Sequence, residues 1–238
     1  MGMKKLGLAV AVAAAVFSAQ QTLAQNAGDI SVRVGATTVD PQESSSDVAL
    51  NGTALNLAGD TTGLGLDSNT QLGLTLEYAL DSNWSIEVLA ATPFSHTAAA
   101  TGELANLLNG LDVADTKHLP PTVSAIYRFG SGNADVQPYV GAGLNYTVFF
   151  SEDTTTDADA AFAGLGLTGG SVDIDDSFGL ALQAGVDFKL NDKWSINTSV
   201  RWIDIDTEAT ITFDSGDKVS ADIDIDPMVY SVMVGYKF

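Results

Sequence analysis

Eight long stretches of this chain alternate apolar and polar residues, and the links between them alternate short and long. A period of two is the signature of strands rather than helices. The stretches are residues 29–39, 70–80, 84–94, 117–129, 136–150, 177–190, 194–203 and 226–238. Strands of about ten residues or more exceed the usual globular length and match a tilted crossing of a bilayer. The links at 81–83, 130–135 and 191–193 are turn-like, whereas those at about 40–69, 95–116, 151–176 and 204–225 are long and polar. Short turns on one side and long loops on the other define the expected class. It is all-β: an eight-stranded antiparallel transmembrane β-barrel with long extracellular loops and short periplasmic turns. A soluble sandwich gives the same number of strands without a reason for that alternation.

The ends of the chain agree. Lys4 and Lys5 precede an apolar run from Leu6 to Phe17 that is too short to span a bilayer, and Thr22 and Ala24 make a small-residue cleavage site. Residues 1–24 read as a cleaved signal peptide and 25–238 as one barrel domain. The chain has no cysteine, so no disulfide framework holds it. It carries 30 acidic residues against 10 basic ones, and loss of the leader with its two lysines leaves a net charge of −22. Such acidity argues against nucleic acid as a partner. At the C-terminus Met228, Tyr230, Val232, Val234, Tyr236 and Phe238 share one parity, an apolar stripe that runs to the last residue. Trp84, Trp194, Tyr127, Phe129 and Phe188 also lie within a few residues of a short turn, where an aromatic girdle is expected.

Parity also predicts the interior. Glu77, Glu87, Arg128, Asp187, Lys189 and Lys237 fall inward near the periplasmic end, with Arg33 and Arg201 higher. An eight-stranded barrel is only just wide enough for its own side chains, so this charge is expected to form a paired plug rather than a pore. The upper inward positions Leu89, Pro93, Pro120 and Phe149 are apolar. Near the mouth stand Leu55, Leu57, Leu64, Leu66, Leu104, Leu107, Leu108 and Leu111. These leucines either pack the loops into a cap or line a funnel for small apolar molecules. Pro120 and Pro121 remove one amide donor from each flanking ladder, which is either a kink at the rim or a weak place in the wall.

The segment His118-Leu119-Pro120-Pro121-Thr122, the run from Gln137 to Thr147 (QPYVGAGLNYT) and the ending Gly235-Tyr236-Lys237-Phe238 resemble the OmpW/AlkL family of outer-membrane proteins. That resemblance covers essentially the whole mature chain. It implies a hydrophobic channel, open to the outside, that passes small hydrophobic molecules through a lateral opening in the wall. Carried over by residue, Pro120 and Pro121 sit at that opening. Tyr236 and Phe238 resemble the terminal signal by which such barrels are recognised for assembly. The implied partners are outer-membrane lipid and lipopolysaccharide, small hydrophobic molecules and the barrel-assembly machinery.

Enzymatic chemistry finds little support. The two histidines are His96 and His118, and Ser124 and Thr122 lie about 20 Å and 13 Å along the strand from His118. His118 therefore reads as a polar rim residue. Acidic clusters stand at Glu152, Asp153, Asp157 and Asp159, at Asp173, Asp175 and Asp176, at Asp204 and Asp206, and at Asp222, Asp224 and Asp226. None follows the twelve-residue calcium-loop pattern, so they read as solvated loop charge and no metal or cofactor is expected. Ile203, Ile205, Ile211, Phe213, Ile223 and Ile225 between them point to a ribbon that continues beyond the membrane. The competing reading is a structural or surface-recognition barrel. A continuous apolar cavity beneath the loops separates the two.

Overall fold

The computed structural model describes residues 25–55, 63–101, 105, 110–130 and 134–238. Eight antiparallel strands form the barrel: β1 (Ile30–Asp40), β2 (Asn69–Ala79), β3 (Trp84–Ala91), β4 (Thr122–Arg128), β5 (Val136–Thr154), β6 (Ser177–Lys189), β7 (Trp194–Ile203) and β8 (Met228–Lys237). Each pairs with its sequence neighbours, and β8 returns to β1 in register from Ser31 opposite Lys237 to Asp40 opposite Met228. The closing bond is the Phe238 amide to the Ile30 carbonyl, 2.9 Å. Closure leaves neither terminal strand with an open edge, as a spanning sheet requires in lipid.

Two short turns are built the same way. The Asp81 carboxylate accepts from the amides of Asn83 and Trp84, both at 2.8 Å, and the Asn191 side-chain oxygen accepts from Lys193 and Trp194, both at 3.0 Å. Such Asx contacts hold a tight reversal without help from the rest of the protein. The outer wall is apolar: Leu72, Leu74 and Leu76 on β2, Leu180 and Leu182 on β6, and Val232 and Val234 on β8 are all exposed, Val232 by 59%. A continuous band of this kind is insoluble in water and at home against acyl chains. At the short-turn end Trp84 meets Tyr127 with ring centroids 5.0 Å apart, and Tyr236 lies 4.9 Å from both Trp194 and Phe238. These rings form the interfacial girdle.

Beyond the barrel the long loops are folded rather than loose. Strands Phe94–Thr101 and Asp112–Leu119 pair with each other, with Gly63–Leu66 on one side and with the upper part of β5 on the other. A second sheet holds Ser171–Ile174, Asp206–Thr212 and Lys218–Asp224, joined by two-residue strands from the first long link. The expected ribbon is therefore present. The helix α1 (Thr156–Gly164) occupies a stretch that its sequence presents as part of a loop. Thr155 caps it by accepting from the Ala158 amide at 3.1 Å, Asp157 and Asp159 occupy the first turn, and Gly166 closes the far end at φ +84°. Ala158 and Phe162 anchor it on the second sheet. The segment 1–24 lies outside the described residues.

Candidate functional site

The lower lumen is closed by a network of three guanidinium groups and three carboxylates. Arg33 reaches Glu77 at 2.5 Å, Glu87 at 3.0 Å and Asp187 at 3.1 Å. Arg128 pairs with Glu77 and, at 3.0 Å, with Asp187, and Arg201 pairs with Glu87 at 2.8 Å. Ser85, Gln183 and Asn197 donate to the carboxylates of Glu77, Glu87 and Asp187 respectively, and Tyr139 accepts from Asn197 at 3.1 Å. All six charged side chains are buried. Their charges cancel, so the cluster tolerates removal from water and fills the cross-section. Lys189 and Lys237 are partly exposed at its short-turn rim, where Lys237 contacts Asp29 at 3.4 Å. Both line a small space there together with Arg33, Glu77, Arg128 and Asp187.

The wall changes character at the two prolines. Strand β4 begins at Thr122 and the extension strand below the loops ends at Leu119, so Pro120 and Pro121 interrupt one continuous path. On the β5 side the register is unbroken, running Thr122 opposite Asn145 through Leu119 opposite Val148 to His118 opposite Phe149. The Pro121 carbonyl there accepts from the Tyr146 amide at 3.1 Å and from the Asn145 side chain at 3.2 Å. Pro121 therefore spends its missing amide toward β5, and alternation aims the missing amide of Pro120 toward β3.

On the β3 side the ladder stops. Thr122 opposes Leu89, and the next pair above is His118 with Phe94. Residues 90–93 thus face residues 119–121, four against three, with no ladder pair between them. The extra residue is a bulge, and a bulge of one flips side-chain parity. This overturns one expectation. Pro93 is exposed on the outer wall, and Phe94 takes the inward place. Leu89 is buried, at the lower lip of this seam.

Above the seam an apolar cluster of Val39, Phe94, Phe149, Ile203, Ile205 and Val229 caps the barrel. Over it lies a cavity of about 410 Å³ between the two extension sheets and α1. Leu55, Leu64, Leu66, Phe149, Phe162 and Ile223 are among its walls, and among the described residues only Thr116, Thr207 and Ser220 bring polar side chains. Of the residues expected to line a funnel, Leu55, Leu64, Leu66 and Phe149 border this space, whereas Leu89 and Pro93 do not. Leu57, Leu107 and Leu108 lie outside the described residues, as does Leu104. Phe162 of α1 and Leu165 and Leu167 just beyond it also line the cavity, a contribution that sequence reasoning misses because the helix resembles loop. The ribbon isoleucines are recognisable in the sequence, but not as cavity wall.

His118 is not a rim residue. It is buried, stacked between Phe94 and Phe149 with ring centroids at 5.4 and 5.7 Å, and its Nε2 lies 3.0 Å from Nε2 of His96. Both histidines belong to the extension above Pro120. Burial pushes the His96 imidazole down, and burial with the neighbouring His96 pushes His118 down to about 3, so both rings are neutral at physiological pH. Neither has a serine or threonine nucleophile bonded to it among the described residues. The acids behave differently. Asp204, Asp206 and Asp226 bring carboxylate oxygens within 4.8 Å of one another. Partial burial, then mutual repulsion, raises the carboxyls of Asp206 and Asp226.

A closed eight-stranded barrel with an exposed apolar band, an aromatic girdle and long structured loops on one side is an outer-membrane protein. The OmpW family model matches residues 26–238, and the chain belongs to that family. Outer membrane protein W of Vibrio cholerae is 45% identical over 240 residues, covering 99% of this chain and 100% of that one. The crystal structure of OprG from Pseudomonas aeruginosa superposes with a TM-score of 0.79 at 40% identity, over 90% of this chain and 98% of the other. A more distant relative, the dibenzothiophene metabolism operon protein DoxH of a Pseudomonas species, is 26% identical over 171 residues, 71% of this chain and 72% of that one.

Proposed function

We propose that this protein lets small apolar molecules cross the outer membrane passively, entering the cavity beneath the loops and leaving through the seam between β3 and β4. The observation that carries the reading is the apolar cavity of about 410 Å³ above a barrel sealed by charge. Its size is within the range of small-molecule sites. An apolar solute gains about 0.8 kcal/mol for each methylene it buries there, and the ion-paired floor offers nothing to replace that gain. Sideways escape into lipid keeps the solute out of water throughout. The name of DoxH, an operon protein of dibenzothiophene metabolism, associates one relative with an apolar aromatic compound. A structural or surface-recognition role would have no use for the cavity. Uptake of a panel of alkanes, arenes and sugars, in cells with and without the protein, separates these readings. Faster entry of the apolar compounds alone is expected. Equal entry of every compound in both strains would leave the surface role.

Assembly is a second proposal, resting on the terminal stripe. Phe238 is 71% exposed, packs edge-on to Tyr236 and donates its amide to β1 at the closing seam. An exposed aromatic pair of this kind is accessible to an assembly factor before the barrel closes. Replacing Phe238 by Ala is expected to lower the inserted fraction several-fold at modest expression, measured by membrane fractionation. Undiminished insertion would assign Phe238 to the girdle alone.

A further inference from the structure

Beside the cavity, two buried polar atoms have no hydrogen-bond partner among the described residues, His118 Nδ1 and Thr116 Oγ1. Leaving such groups unsatisfied is costly, so each needs an explanation. The two residues are two apart on one strand and face the same way, toward Phe94 and His96 of the paired strand. Both line a side cavity of about 20 Å³, which shares Leu66, Thr116, Phe149 and Ile225 with the large cavity. That space suits one oxygen atom.

The hydrogen-bond chain fixes what the oxygen must do. His96 Nδ1 lies 2.6 Å from the backbone carbonyl of Asp67. A carbonyl only accepts, so this nitrogen carries the proton and donates. The ring is neutral, which leaves His96 Nε2 with a lone pair. At 3.0 Å from it, His118 Nε2 must then be the donor. His118 Nδ1 is consequently a buried acceptor, on a ring that lines the side cavity. Thr116 Oγ1 can donate in return. Alkanes and ethers cannot satisfy the histidine, because neither carries a polar hydrogen. A hydroxyl satisfies both atoms at once.

We infer that the cavity floor is a recognition site for a single hydroxyl group, so that the preferred cargo is a small apolar molecule bearing one alcohol or phenol function. In it the ligand O–H donates to His118 Nδ1 and the ligand oxygen accepts from Thr116 Oγ1, while the hydrocarbon fills the space lined by Leu64, Phe162 and Ile223. This assignment rests on the channel reading above and specifies its substrate. It also gives the His96–His118 pair its role, which is to present a neutral acceptor of fixed tautomer. Asp67 fixes that tautomer by anchoring the far ring.

Isomeric probes test it. Hexan-1-ol and 1-methoxypentane have the same atoms and differ in the polar hydrogen, and heptane has no oxygen. The full chain in lipid nanodiscs, with ¹⁵N-histidine and methyl-labelled isoleucine, is titrated with each, against empty nanodiscs for partitioning. All three probes are expected to move the Ile223 methyl. Hexan-1-ol alone should move the His118 Nδ1 resonance to its hydrogen-bonded range, with a half-saturation roughly tenfold below that of the ether. Thr116→Val, which keeps the side-chain shape, should shrink that advantage, and His118→Gln tests the acceptor independently. If the methyl responds equally to all three probes and Nδ1 stays still, the hydroxyl site is wrong and the cavity stands. The hydroxyl site is equally wrong if Nδ1 is already hydrogen-bonded without ligand, because a bound water then holds its place. If no probe moves the methyl, the channel reading fails and the hydroxyl site falls with it.

Discussion

Replacing Glu77 by Ala should destabilise the barrel by about 3–5 kcal/mol, the usual effect of removing one partner from a buried ion pair. Glu77 is 2% exposed and is bonded to both Arg33 and Arg128, with Ser85 as a further donor. Its loss strands two guanidinium groups that retain Asp187 and Glu87 between them. The change is readable as a lower urea midpoint for the gel-mobility shift of the folded form in vesicles. Permeability should change too. Liposome swelling with small sugars is expected to be slow for the natural chain and faster for Glu77→Ala, because water enters where the carboxylate was. Adding Arg128→Leu should recover part of the stability, since it removes the excess positive charge left in the cluster. An unshifted midpoint for Glu77→Ala would mean that the cluster fills space without holding the barrel together.

Much of this plug is legible in the sequence, and the reason is strand parity. Arg33, Glu77, Glu87, Arg128, Asp187 and Arg201 lie in regular parts of their strands, where a period of two fixes the facing of every residue. Parity fails where the backbone departs from that period. It misplaces Pro93 because one extra residue opposite the proline pair flips the phase, and no local signal besides proline announces a bulge. Leu89 keeps its facing, but it lies below the cavity. Helix α1 escapes notice because nine residues rich in alanine and aspartate resemble a polar link, and packing of Ala158 and Phe162 on the second sheet decides their conformation. The pairing of His96 with His118 joins residues 22 apart in sequence. Only the register of the two extension strands brings them together.

The seam should control transport, and closing it is expected to have the second large effect. Two features leave the ladder unpaired there. The missing amide of Pro120 removes a bond toward β3, and the four-against-three mismatch prevents residues 90–93 from pairing with 119–121. Pro120→Val with Pro121→Thr restores the donors but leaves the mismatch. Deleting Pro93 as well makes the two sides equal in length. The deletion also lets Phe94 keep its inward facing, because its parity then continues directly from Leu89 and Ala91. The Pro120→Val, Pro121→Thr double variant should slow uptake modestly, and the triple variant should slow it roughly tenfold, as expected when about 1.4 kcal/mol is added to the escape step. Neither variant touches the ion cluster or the cavity walls, so folding and cavity occupancy should persist. The decisive measurement is the initial uptake rate of a small arene through the triple variant, taken together with amide-exchange protection across the new ladder. A protected ladder with uptake near the level of cells lacking the protein is predicted, whereas a protected ladder with uptake at the natural rate would contradict lateral release.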